Sequence, residues 1–119
     1  MLNPDRKMIC EKYGSKYHEF LENLNVGVNI ESLGMIPVYG VRINPAFGTS
    51  GWYIWGGKYS EDEDFFKPIH GFHLIQKLPG LSKYLALAPG FKFIVDGDGY
   101  EDVWFDPSSL KRAGQSGVW

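Results

Sequence analysis

Residues 91–105 read FKFIVDGDGYEDVWF, and this stretch decides the fold. Two runs rich in aromatic and β-branched residues stand either side of DGDG, and Asp-Gly pairs supply the positive φ angles that a hairpin connection needs. The pattern predicts Phe91–Val95 paired with Val103–Phe105 across that turn. Upstream, Trp52 to Trp55 is apolar on both faces, as in a central strand covered on both sides or one whose second face meets a partner. Val26, Val28 and Ile30 alternate with Gly27 and Asn29, the two-residue period of a half-buried strand. Val38 to Ile43 forms a further strand, bounded by Pro37 and Pro45 because proline cannot donate within a ladder.

Helix signals lie on either side of these strands. Asn3-Pro4-Asp5 combines a cap residue, a first-turn proline and a first-turn carboxylate, which predicts a helix to about Tyr13. Gly14 and Ser15 end it, and Ser15 caps a second short helix with Tyr17, Phe20, Leu21 and Leu24 at helical spacing. Pro68 opens another, turning Ile69, Phe72, Leu74, Ile75 and Leu78 toward the core until Pro79-Gly80, and Leu81 to Leu87 adds a short helical turn. The expected architecture is α+β: one domain over residues 1–107, a mainly antiparallel β-sheet with N-terminal and central helices packed on it, and a polar, flexible tail over 108–119.

Composition agrees with a packed domain. The chain has 119 residues, 44% hydrophobic and 16% aromatic, enough to bury roughly two-thirds of its extended surface around one core. The formal net charge is −2, and no polybasic run occurs, which argues against nucleic-acid binding. Cys10 is the only cysteine, so no intrachain disulfide can form and a reducing, cytoplasmic setting is expected. No apolar run is long enough for a signal-peptide core or a membrane span, so no membrane partner is expected.

Charge is concentrated locally. Of the 14 acidic residues, nine fall in two stretches: Glu61, Asp62, Glu63 and Asp64, then Asp96, Asp98, Glu101, Asp102 and Asp106. DGDGYED invites a calcium reading, but from Asp96 the fifth ligand position falls on Tyr100 and the required sixth-position glycine is Glu101, so a solvated hairpin turn is the better account. His70 and His73 could share an ion on a helix, yet two imidazoles without a cysteine partner are more often structural. Cys10 reads as a core residue, Gly48-Thr49-Ser50-Gly51 is not a nucleophile elbow, and no phosphate-binding glycine motif is present. No catalytic residue, metal or cofactor is therefore assigned. A small acid–base hydrolase using Glu101 or Asp102 with His70 is an alternative, as is an interaction module with Trp55 and Trp104 in a homodimer seam. The tryptophans and phenylalanines are first of all packing residues, but aromatics rimmed by carboxylates would also select a basic partner.

GTSGWYIWGG, SEDEDFFKPIHGFHL, YLALAPGFKFI and GYEDVWFD, with MICEKYG and PVYGVRINP before them, resemble the Imm33-like family of bacterial immunity-protein domains from polymorphic toxin systems. The similarity runs from Met8 to Asp106, with an extended DGDG turn as a departure. The resemblance implies a non-enzymatic α+β domain that binds and silences a cognate toxin protein. It transfers no catalytic residues. Joined to the charge pattern, it gives an expected toxin-binding surface of Glu61, Asp62, Glu63, Asp64, Asp98, Glu101 and Asp102 with Trp55 and Trp104, facing a toxin with a basic active site. The oligomeric state is left open.

Overall fold

The computed structural model describes residues 3–112. Its helices are α1 (Pro4–Tyr13) and α2 (Gly71–Lys77), and its strands are β1 (Asn25–Val28), β2 (Val38–Arg42), β3 (Thr49–Gly56), β4 (Lys67–His70), β5 (Phe91–Val95) and β6 (Glu101–Phe105). Short 3-10 turns occupy Ile30–Ser32, Pro79–Tyr84 and Pro107–Arg112. The six strands form one mixed sheet in the order β4-β1-β3-β2-β5-β6. The β1–β3 pairing is parallel and the others antiparallel. The α+β class and the β5–β6 hairpin are as the sequence predicts, with positive φ at Gly97 and Gly99 in the turn.

β3 is the central strand. Trp52 and Ile54 face the main core with Val26, Val28, Phe93, Leu74, Leu85 and Leu87, beneath α1, α2 and the 79–84 turn. Trp55 faces the other side, where Tyr39, Tyr53, Tyr59, Phe65 and Phe66 make a second, aromatic cluster. The two-sided apolar run thus resolves into a strand covered on both faces. Cys10 lies in the main core, 2% exposed, and its thiol donates to the Ala86 carbonyl at 3.4 Å.

The helix α1 has the expected cap, with Asn3 Oδ1 accepting from the Asp5 and Arg6 amides, and ends on Gly14 in the left-handed conformation. Two other helical expectations are corrected. Residues 15–20 are not helical, because their backbone groups find tertiary partners: the His18 amide donates to Ala86 O, and the His18 and Glu19 carbonyls accept from Arg42. Lys67–His70 is an edge strand, and the helix starts only at Gly71. Gly71 N to Leu24 O continues the β1–β4 ladder, a register that turns position 68 toward the open edge, where a missing proline N–H costs nothing. Phe72, expected in the core, is 39% exposed, whereas Leu74 is fully buried.

Arg42 closes one end of the sheet. Its guanidinium is buried and donates to the carbonyls of Ser50, His18, Leu85, Leu87 and Glu19 at 2.9–3.3 Å, while lying over the Trp52 ring. Burial lowers its pKa to about 10, so it stays charged at neutral pH. The turn Pro107–Arg112 follows β6, with Ser109 fully buried. The rest of the expected tail, 113–119, lies outside the described residues.

Candidate functional site

Strand register brings three loops to the end of the sheet opposite Arg42. Val28 pairs with Lys67, Val38 pairs with both Gly56 and Val95, and Val95 pairs with Glu101. The connections 29–37, 57–66 and 96–100 therefore leave the sheet from one side. The first reaches β2 by passing the end of β3, and the second reaches β4 by passing the end of β1. They are fastened where they pass: Gly57 N donates to Pro37 O at 2.9 Å and Asn29 Nδ2 to Phe65 O at 2.7 Å. Gly56 permits the approach, because a Cβ there would run into the Ser32 and Met35 carbonyls.

The expected acidic residues divide by position. Glu61, Asp62, Glu63 and Asp64 are all exposed on the 57–66 loop, where Asp62 accepts from the Asp64 amide at 3.0 Å and Asp64 meets Lys67 at 3.5 Å. Asp98 is exposed at the hairpin tip, and Asp96 holds that tip by accepting from the Asp98 and Tyr100 amides. These local bonds close the turn. Asp102 is exposed on the β6 face opposite to Glu101, and Trp104 lies half-buried on the same face as Asp102. Trp55 is 1% exposed beneath Tyr59 and Phe66, so it supports the loop from below and offers no outer surface. With Glu31 added, the three loops carry seven carboxylates, Glu31, Glu61, Asp62, Glu63, Asp64, Asp96 and Asp98, against Lys58.

Glu101 turns inward. Its carboxylate accepts from the hydroxyls of Tyr13 and Tyr84, the latter at 2.5 Å, and from Lys12 at 2.9 Å, with Lys83 at 3.9 Å. Burial alone would raise its pKa, but the two hydroxyls and Lys12 overcome that and hold it down to about 2. Burial and the adjacent carboxylate together push both tyrosines above their ordinary range. The cluster ties α1 and the 79–84 turn to β6. It also floors a groove of about 720 Å³ with apolar walls that include Leu33, Ile36, Val38, Leu78, Leu81 and Tyr100.

Sequence reasoning missed the apolar members of this end. Ile30, Met35, Ile36 and Tyr100 are 45%, 57%, 64% and 53% exposed. The alternation of Val26, Val28 and Ile30 predicts a strand through Ile30, whereas the strand stops at Val28 and Asn29 caps a 3-10 turn. Nothing in the order GMIP marks Met35 and Ile36 as outward-facing; only the unbroken apolar pair inside a turn could have drawn notice.

The hydrolase arrangement does not assemble. His70 is on β4 and Glu101 and Asp102 are on β6, the two opposite edges of the sheet, about 24 Å apart at the usual strand spacing. His70 and His73 flank Phe72 on the surface, with His70 stacked on its ring. Among the described residues, no group of three or more His, Cys, Asp or Glu side chains is placed to hold a metal ion. Nor is any helix among them long and apolar enough to cross a membrane.

The Imm33-like domain matches residues 5–106, spanning α1 through β6, and the chain belongs to that family of immunity-protein-like domains. No curated protein and no solved structure matches the chain.

Proposed function

We propose that the protein is an immunity protein, not an enzyme, which binds and neutralises a cognate toxin through its acidic end and acts in the cytoplasm. The observation that carries this reading is the register that sets Glu61–Asp64 and the 96–100 turn at one end of the sheet. The whole chain is only −2, yet that end is strongly negative, so its field is directional. Such a surface accelerates encounter with a basic active site and selects against acidic partners. Glu61, Glu63 and Asp98 are the foremost contacts, with Asp62 and Asp64 beside them and Asp102 at the flank. Trp104 and Glu101 support the surface from its edge and floor, and Trp55 from beneath.

The test is affinity capture from the native organism's lysate with the tagged chain, at low and then moderate salt. A basic protein carrying a toxin domain should be retained and then released as salt rises. A chain carrying Glu61→Lys, Glu63→Lys and Asp98→Lys should not retain it. Equal capture by both chains would overturn the reading.

A further inference from the structure

We propose that the apolar ridge of Ile30, Met35, Ile36 and Tyr100 is the centre of the binding surface, and that the partner inserts a large apolar side chain from within a basic face into the groove beside Ile36 and Tyr100. The inference rests on the toxin-binding reading for the partner's identity and adds where the binding energy is concentrated.

The ridge residues are each close to half exposed or more, an arrangement that costs solvation unless something covers it. Two of them, Ile36 and Tyr100, line the groove of about 720 Å³, which is larger than any single side chain. The ridge is also rigidly presented. Met35 packs beside Gly57, and Gly57 N is bonded to Pro37 O at 2.9 Å, so little order has to be gained on binding. Carboxylates stand on both sides, the 61–64 stretch along one and Asp96 and Asp98 along the other. An apolar centre with a charged rim is the anatomy of a protein interface, in which the centre supplies affinity and the rim supplies steering.

Charge chooses between occupants. A second copy of this chain docked on the same surface would set the acidic rims against each other, because a two-fold interface pairs like with like. A basic face neutralises both rims while its apolar side chain enters the groove, whose two lysines, Lys12 and Lys83, are drawn to Glu101 at 2.9 and 3.9 Å.

The experiment titrates the isotope-labelled full chain, followed by NMR, with two synthetic peptides of equal length and charge, Lys-Arg-Leu-Arg-Lys and Lys-Arg-Gly-Arg-Lys. The leucine peptide should bind about tenfold more tightly or better, given the gain from burying one such side chain. Its shifts should centre on residues 30–36 and 97–100, and Ile36→Ser should abolish the difference between the peptides. Equal affinities, or shifts confined to 61–64, would overturn the ridge as the centre. So would concentration-dependent self-association of the wild-type chain that Ile36→Ser abolishes, since that gives the surface to a second copy. The ridge and the toxin-binding role fail separately. An Ile36→Ser chain that retains the toxin undiminished, while the charge-reversed chain does not, removes the ridge and keeps the role. A ridge that binds the leucine peptide in a chain that captures no toxin removes the role and keeps the ridge.

Discussion

At one end of the sheet Arg42 is 2% exposed and its guanidinium is surrounded by five backbone carbonyls. At the other, seven carboxylates stand on three loops, most of them in water. The first charge is desolvated but fully hydrogen-bonded, so removing it would leave several segments without partners. The second set keeps its hydration and carries little of the fold. Glu101 lies between these extremes: at the acidic end by position, but bonded inward like Arg42. The difference teaches that the negative sign of a residue did not decide its role here; the number of hydrogen bonds it makes to the rest of the molecule did.

The comparison is most severely tested at Arg42. Arg42→Met should cost about 3–5 kcal/mol in urea denaturation, because the His18, Glu19 and Leu87 carbonyls lose their donor; a loss under about 1 kcal/mol would show that water replaces the guanidinium and that the closed end is not closed. Gly56→Ala comes next, at about 2–3 kcal/mol, since its methyl group meets two backbone carbonyls rather than a side chain that could swing away. A neutral thermal scan would indicate that the two passing loops can part.

Glu101→Gln is expected to cost about 1–2 kcal/mol at pH 7, from weaker bonds to Tyr13, Tyr84 and Lys12. That loss has a pH signature. The folded-state pKa of about 2 lies below the ordinary glutamate value, so the wild type's advantage over the variant is whole above about pH 4.3 and disappears as pH falls toward 2. A difference that stays constant over that window would place the effect in packing and not in charge. The smallest change in stability belongs to the acidic rim: Glu61→Lys with Glu63→Lys should leave stability within about 0.5 kcal/mol and yet weaken partner capture at low salt. Marked destabilisation would erase the distinction between the two ends.

Much of the frame was legible in the order of residues. The β5–β6 hairpin, α1 with its Asn3 cap, and the two-faced β3 follow from short-range signals in turn chemistry, capping and alternation. What escaped was set by distant partners. The 15–20 segment has helical spacing but is held out of a helix by Arg42 and Ala86, and KPIH carries a helix-opening proline but pairs with β1. Of the candidate site, the charge clusters were legible and the exposed apolar residues between them were not. Clustering identified Glu61 to Asp64 and the hairpin acids, whereas the inward turn of Glu101, the covering of Trp55 and the exposure of Met35 and Ile36 depend on which loops the sheet order brings together.

Those loops also bear on how specificity could change over time. The 29–37 and 57–66 connections pass each other and are joined by Asn29 to Phe65 and Pro37 to Gly57, so replacing either one alone with a loop of different length or course would leave donors and acceptors mismatched. The β5–β6 hairpin closes on itself through Asp96 and has no such obligation. Recombination should therefore move residues 29–66 as one heritable cassette and the hairpin tip as another, giving the lineage two separately exchangeable parts.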